Sequence, residues 1–191
     1  MIRVIGLTGT NGSGKDTVAK FLVSRGFILI SLSDILREEL RKMDVPETRE
    51  NLVNLGNIMR QAQGSGVLAE RARRMIGNGN YVINSIRNPH EIVELKKIPN
   101  FYLIAMDAPV EERFNRIVKR GRIENASALG EFIAGEQREF SNESHKQSLG
   151  KCMLMSDRLI MNDSTIYDLH SKIEKMISGR DFYEFIHEEE Y

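Results

Sequence analysis

The sequence has few or none of several features that mark common classes of protein. A single cysteine, Cys152, cannot form an internal disulfide bond, and the four histidines are scattered without the spacing of metal ligands. Lys+Arg and Asp+Glu both number 27, so we expect no broad electrostatic attraction for nucleic acid or an acidic membrane surface. The longest clear apolar run, residues 101–106, is too short to cross a bilayer. These absences predict a cytoplasmic protein without nucleic-acid or membrane partners.

Short apolar strands alternate with amphipathic helices along most of the chain. This alternation predicts an α/β fold in which a parallel five-stranded sheet is covered by helices on both faces, with ligands at the carboxyl ends of the strands. Two predicted helices, 48–63 and 67–76, have no strand between them and indicate a helical insertion at about 44–79. A polar stretch, 141–148, is predicted to be a loop. We expect residues 1–191 to form a single domain.

A glycine-rich stretch, residues 9–17, lies between a predicted buried strand and a predicted helix. It fits most of the P-loop pattern, in which backbone N–H groups curl around an anion and the following helix adds its positive N-terminal end. Lys15 places a cation against the outer phosphates of such a ligand. The residues that we expect to hold a nucleoside triphosphate, ATP, are Gly9, Asn11, Gly12, Ser13, Gly14, Lys15, Asp16 and Thr17.

Three further patterns resemble the small-molecule kinases of the P-loop class. They are the Gly-Lys pair followed by Asp16 and then Thr17, the segment 33–37 (Ser-Asp-Ile-Leu-Arg), and the arginines at 113–122 before a short polar loop. Together they are similar to adenylate-kinase-like nucleoside and deoxynucleoside monophosphate kinases, and dephospho-CoA kinase is similar in size and topology. The resemblance implies transfer of the γ-phosphoryl group of ATP, with Mg²⁺, to a small phosphorylated acceptor, with a nucleoside or deoxynucleoside monophosphate as the first candidate.

The resemblance also implies roles for particular residues. Arg37 and Arg87 would hold the acceptor, with Asp34 beside them, because a guanidinium grips phosphate with two hydrogen bonds. Arg120 and Arg122, in a short lid at about 120–128, would close over the transferring group. Structural alternatives stay open, since Arg37 fits a solvated helix face and the acidic side chains beside Arg116 fit a surface ion-pair network.

The expected position of Mg²⁺ depends on two departures from the family pattern. Asp16 stands where a serine or threonine hydroxyl would reach the metal, and the neutral Asn84 ends the third predicted strand, where the family usually has aspartate. Carboxylates near triphosphates hold Mg²⁺ through its water shell. Asp16 is therefore our first candidate for this role, with Asp34 and Asp107 as alternatives.

Two other functions remain compatible with the sequence. One is transfer to a hydroxyl acceptor, as in dephospho-CoA kinase, in which Asp34 would act as a general base. The other is a non-catalytic nucleotide-dependent regulatory switch, although the guanine-binding pattern Asn-Lys-x-Asp is absent. The sequence predicts neither the oligomeric state nor the role of the acidic stretch 181–191.

Overall fold

A computed structural model of the chain describes residues 4–121, 129–138 and 146–178. Within these residues the strands are β1 (Val4–Gly9), β2 (Ile28–Ser31), β3 (Tyr81–Asn84), β4 (Phe101–Asp107) and β5 (Arg158–Met161). The helices are α1 (Lys15–Ser24), α2 (Leu32–Lys42), α3 (Arg49–Gln63), α4 (Val67–Arg74), α5 (Pro89–Leu95), α6 (Val110–Lys119), α7 (Leu129–Arg138), α8 (Leu149–Leu154) and α9 (Ile166–Ile177).

The five strands form one parallel sheet in the order β2-β3-β1-β4-β5. In this register Val4 of the central strand aligns with Tyr81 on one side and Phe101 on the other. The carboxyl ends of β1, β3 and β4 therefore meet at one edge, and the glycine-rich loop after β1 lies between them. The predicted α/β architecture with a covered parallel sheet is confirmed.

Successive side chains of the three central strands, β1, β3 and β4, enter two different hydrophobic cores, whereas the edge strands β2 and β5 are partly exposed. Ile5 and Leu7 pack against α1 and α9, whereas Val4 packs on the opposite face with residues of α2, α3, α4, α5 and α8. Both faces are buried because side chains alternate along a strand and helices cover the sheet on each side. At about 25 cal/mol per Å² of buried apolar surface, each fully buried leucine contributes roughly 1.5–3 kcal/mol.

The two helices predicted at 48–63 and 67–76 are present as α3 and α4, which pack into the core beside α2 and α5. Thr48 caps α3 by accepting a hydrogen bond from the backbone N–H of Asn51. Helix α5 begins with a capping box, in which the Asn88 side chain accepts from the backbone N–H of Glu91 and the Glu91 side chain accepts from the backbone N–H of Asn88. Pro89 between them fixes the backbone of the first turn.

Some predictions differ from the structure or lie outside the described residues. Helix α8 was not predicted from the sequence, because six residues are too few to show helical periodicity. Of the predicted loop 141–148, only residues 146–148 are described. Residues 122–128, which hold Arg122 and most of the predicted lid, lie outside the described part of the chain, as does the acidic stretch 181–191. Among the described residues, every helix is too short or too polar to traverse a bilayer.

Candidate functional site

The phosphate-binding loop has the backbone conformation that its glycines permit. Gly9, Gly12 and Gly14 all have φ values in the left-handed region, which a residue with a Cβ atom rarely adopts. Gly14 is the N-cap of α1, so the N-terminal end of this helix faces the loop. Lys15 Nζ donates to the backbone oxygens of Gly9 and Thr10, at 2.7 Å and 2.5 Å.

The loop is fixed to the end of β4 by a short polar contact. Thr10 Oγ1 donates to Asp107 Oδ1 at 2.6 Å, and the same carboxylate oxygen accepts from the N–H of Ala108 at 2.8 Å. Arg113 Nε lies 3.5 Å from this oxygen. These contacts hold the loop in place and engage Asp107, which leaves it less suited to magnesium than Asp16.

Asp16 lies where three elements of the site meet. Its Oδ1 accepts a hydrogen bond from Asn84 Nδ2 at 3.0 Å, at the end of β3. Its Oδ2 is 3.8 Å from Arg120 Nη1, at the end of α6, and its side chain is 49% exposed. The structure thus brings together Asp16, Asn84 and Arg120, with an accessible carboxylate of the type that hydrated Mg²⁺ binds. The donor set fits this metal.

A group of hydroxyls occupies the neighbouring ends of β2 and β3. Ser31 and Ser33 have their Oγ atoms 2.9 Å apart, and Ser85 Oγ is 3.4 Å and 3.2 Å from them respectively. Ser85 has φ of 67°, a strained conformation for a non-glycine residue that is typical of functional sites. Sequence reasoning missed Ser31 and Ser85, because only the pairing of β2 with β3 brings them together.

Arg37 borders this hydroxyl group and is surrounded by hydrogen-bond acceptors. Its Nη1 donates to Ser33 Oγ at 2.9 Å and to Asp34 Oδ1 at 2.6 Å, and its Nε lies 3.6 Å from Glu47 Oε2. Two carboxylates therefore offset the charge of the guanidinium. Arg37 and Asp34 lie together, as the resemblance implied, but they form an ion pair with each other.

Arg87 follows β3 and contacts the chain before α8. Its N–H donates to Glu91 Oε2 at 2.9 Å, its backbone oxygen accepts from the N–H of Ser148 at 2.9 Å, and its Nη1 donates to Gln147 Oε1 at 3.4 Å. These contacts hold Arg87 at the end of β3. Its predicted role toward an acceptor stays a prediction.

The arginines of α6 and its C-cap lie in different surroundings. Arg113 is buried and contacts Glu136 of α7 through Nη1, and the backbone oxygen of Ala108 through Nε at 2.8 Å. Arg116 donates to Glu112 Oε2 at 2.8 Å, which is the surface ion pair that the alternative interpretation described. Among the described arginines of α6 and its C-cap, Arg120 is the one in contact with Asp16.

A cavity of about 260 Å³ adjoins the loop on the side of α6 and α9. Thr17 is among its lining residues, and two of the others, Ile166 and Leu169, are apolar. One guanidinium nitrogen of Arg116, Nη1, is buried and has no hydrogen-bond acceptor among the described residues. The residues that line the cavity are Gly14, Thr17, Arg116, Arg120, Asn162, Ser164, Ile166 and Leu169.

Cys152 does not contribute reactive chemistry to this site. Its side chain is fully buried in the core beneath β1, and that burial raises the pKa of the thiol well above its usual range. The protonated thiol is a poor nucleophile.

Comparison with known proteins identifies relatives along almost the entire chain. A family model described as AAA domain matches residues 5–140. A UPF0200 protein of Sulfurisphaera tokodaii is 32% identical over 178 residues, which are 93% of this chain and 97% of the relative. A UPF0200 protein of Pyrococcus horikoshii is 32% identical over 183 residues, with 92% and 96% of the two chains covered.

Solved structures share the fold at low sequence identity. A Thermus thermophilus protein has a TM-score of 0.59 at 21% identity, with 92% of this chain and 96% of that chain covered. The APS kinase of Mycobacterium tuberculosis, solved with AMPPNP and APS, has a TM-score of 0.54 at 18% identity and coverages of 92% and 97%. The shikimate kinase of Acinetobacter baumannii, solved with shikimate, has a TM-score of 0.52 at 15% identity and coverages of 94% and 95%.

The parallel sheet and the phosphate-binding loop are those of the P-loop kinase-like fold. Within that class, the chain belongs to the AAA domain family that its sequence matches and to the family of UPF0200 proteins.

Proposed function

We propose that this protein is an ATP-dependent phosphotransferase that moves the γ-phosphoryl group to a small phosphorylated acceptor, with a nucleoside or deoxynucleoside monophosphate as the first candidate. One observation carries the proposal. The P-loop with Lys15 and Asp16 lies at the same edge of the sheet as the Ser31, Ser33 and Ser85 hydroxyls and Arg37. A triphosphate in the loop and an acceptor at these polar groups would therefore lie side by side at the strand ends, where ligands of open α/β sheets bind.

In the proposed reaction, an acceptor oxygen forms a bond to the γ-phosphorus while the bond from that phosphorus to the β–γ bridging oxygen breaks, and ADP leaves. Lys15 would exchange its present hydrogen bonds to loop carbonyls for contacts with phosphate oxygens. Its charge would stabilise those oxygens as negative charge moves toward the leaving group. Asp16 would hold Mg²⁺ through its water shell, and the metal, when bound, neutralises phosphate charge. Arg120 would leave Asp16 and contact the transferring group.

The cavity beside Thr17 supports the proposed donor. Its position between the start of α1 and the chain before α9 suits the nucleoside end of a triphosphate whose phosphates lie in the loop. Its volume of about 260 Å³ is near the lower end of the range of small-molecule sites, roughly 300 Å³.

We propose that α3 and α4 form the insertion that binds the acceptor.

A hydroxyl acceptor is the second candidate, and the surroundings of Arg37 favour it. Asp34 and Glu47 already offset the charge of this arginine, which weakens it as a receptor for a second phosphate. The same Asp34 carboxylate is a candidate general base, which a hydroxyl needs and an anionic phosphate does not.

The test is a panel of nucleoside monophosphates, dephospho-CoA and neutral polyols, each incubated with ATP and Mg²⁺ while ADP release is measured. We expect one class of acceptor to raise ADP release well above the rate without acceptor. Lys15→Met should lower that rate by about 10²-fold or more, since the lysine contributes charge that the transition state requires. Lys20→Met, the same change on an exposed position of α1, is the matched control. ADP release that no acceptor stimulates, or that survives Lys15→Met, would contradict the proposal.

A further inference from the structure

Two side chains hold carbonyl oxygens of the phosphate-binding loop from outside the loop. Arg113 Nη1, on α6, donates to the backbone oxygen of Asn11 at 3.2 Å. Asn162 Nδ2, just after β5, donates to the backbone oxygen of Ser13 at 2.8 Å. Neither contact is implied by the P-loop pattern, because the two donors lie about 100 and 150 residues away along the chain.

These contacts determine how two peptide groups of the loop are oriented. Every peptide bond of the described chain is trans, so the C=O and the N–H of one peptide group point in opposite directions. Because the carbonyl of Asn11 points to Arg113, the N–H of Gly12 points away from it. In the same way, the carbonyl of Ser13 points to Asn162, so the N–H of Gly14 points away from Asn162. Arg113 and Asn162 thus turn two backbone donors away from α6 and β5.

The close approach of these supports explains two glycines of the loop. A Cβ atom on Gly12 would lie 2.7 Å from the backbone oxygen of Arg113, and one on Gly14 would lie 2.4 Å from Asn162 Nδ2. Both distances are shorter than real Cβ contacts allow. The loop and its supports are therefore fitted to each other, and the glycines are needed for this fit as well as for their φ values.

The supports are themselves held rigidly. Arg113 is buried, and it is fixed by Glu136 of α7 and the backbone oxygen of Ala108. Asn162 is 7% exposed, its N–H donates to the backbone oxygen of Asp107 at 2.8 Å, and its backbone oxygen accepts from Arg116 Nη2 at 2.9 Å. Buried polar groups with several partners rigidify their surroundings.

We propose that Arg113 and Asn162 are positioning residues that orient the N–H groups of Gly12 and Gly14 for a phosphate chain before that ligand arrives. This inference rests on the proposed function and deepens it. Donors fixed in advance need no reorganisation when charge arrives, which is the main source of electrostatic stabilisation in such sites. Arg113, one of the arginines whose pattern resembled that of the P-loop kinases, serves in this inference as a support of the loop.

The test measures binding of tripolyphosphate and of ADP, each with Mg²⁺, by calorimetric titration. Asn162→Ala removes one support without changing the charge, and Asn78→Ala, at an exposed turn, is the matched control. We expect Asn162→Ala to weaken tripolyphosphate binding by about tenfold or more. The unfolding midpoint without ligand is measured beside it. A lowered midpoint with the phosphate affinity of the folded protein unchanged would indicate a merely structural role and would contradict the inference.

Arg113→Lys provides an independent arm. A lysine keeps the charge opposite Glu136, but its single ammonium group cannot reproduce the contacts that Arg113 makes from two nitrogens, Nε to the Ala108 oxygen and Nη1 to the Asn11 oxygen. We expect weaker tripolyphosphate binding here too. Unchanged affinity in both variants, or loss of folded structure in both, would overturn the inference while leaving the proposed function standing. A wild-type protein that binds neither tripolyphosphate nor ADP would overturn both.

Discussion

At the scale of single residues, Asp16 is the most informative departure from the P-loop pattern. A hydroxyl at this position would reach a metal directly, whereas the aspartate brings a charge that Asn84 and Arg120 contact from two sides. Asn84 is neutral and Asp16 is charged, so the pair has the same single negative charge that a carboxylate at the end of β3 would have. The negative group that we propose near the metal therefore lies in the first turn of α1 and not at the end of β3.

Removing only the charge of Asp16 tests its role toward magnesium. Asp16→Asn keeps an oxygen that can accept from Asn84 Nδ2, so the contact between α1 and β3 survives. We expect the Mg²⁺ concentration for half-maximal rate to rise by about tenfold, the lower end of the effect of losing a partner of a bound metal. Asp44→Asn, the same change at an exposed left-handed position, should leave the magnesium dependence unchanged. An equal dependence in the two variants would remove Asp16 from the metal site.

Adding a second carboxylate beside Asp16 should couple stability to magnesium. In Asn84→Asp the 3.0 Å hydrogen bond is replaced by two like charges, which repel each other at that distance. We expect a lower melting temperature in EDTA than for the wild type, with Mg²⁺ restoring most of the loss. In the exchanged pair Asn84→Asp with Asp16→Asn, the single charge and the hydrogen bond return, so most of the loss in EDTA should disappear. A variant that Mg²⁺ does not stabilise would place the metal elsewhere.

At the scale of helices and strands, most of the architecture was predictable because its signals are local. Apolar runs predicted the five strands and the two helices α3 and α4. The strand order and the meeting of Ser31 with Ser85 were not predictable, because they depend on pairing between distant segments. The burial of Arg113 depends likewise on contact with α7, which helical spacing along α6 does not reveal.

The capping box of α9 gives a prediction at this scale. Thr165 accepts from the N–H of Asp168, and Asp168 Oδ2 accepts in return from the N–H and the hydroxyl of Thr165. Thr165→Ala should lower the free energy of unfolding by about 1 kcal/mol at neutral pH, measured by urea denaturation. Thr165→Ser, which keeps the hydroxyl, should lose much less. If the alanine and serine variants unfold alike, the cap does not stabilise α9.

The same cap should depend on pH. Its hydrogen bonds from Thr165 hold the pKa of Asp168 below its ordinary value of 3.8, because they favour the charged carboxylate. A group with a lowered pKa in the folded state stabilises the protein above its ordinary pKa, and this stabilisation is lost as the pH falls through the folded value. The difference in the free energy of unfolding between the wild type and Thr165→Ala should therefore be largest at neutral pH and decrease below about pH 3.8. A difference that grows in acid would show the opposite linkage.

At the scale of the whole molecule, buried ion pairs connect elements that are far apart in the sequence. Arg60 of α3 contacts Glu91 of α5 at 3.0 Å, and their side chains are 3% and 0% exposed. The other oxygen of Glu91 accepts from the backbone N–H groups of Arg87 and Asn88. One carboxylate thus joins the helical insertion to the chain that follows β3. The carboxylate of Glu91, which has no access to water, therefore connects the insertion to the candidate site.

This arrangement predicts a large difference between two substitutions of the same type. Arg60→Met leaves the carboxylate of Glu91 buried without its guanidinium, which should lower the free energy of unfolding by about 3–5 kcal/mol. Arg25→Met removes an ion pair with Glu174 whose side chains are both nearly half exposed, and it should cost about 0–1 kcal/mol. Adding Glu91→Gln to Arg60→Met should recover part of the loss, because the amide oxygen still accepts from Arg87 and Asn88 and the buried charge is gone. Urea unfolding of the four proteins, wild type included, measures these differences. Equal losses in Arg60→Met and Arg25→Met would mean that Glu91 gains access to water when its partner is removed, and that the insertion is held by its apolar contacts alone.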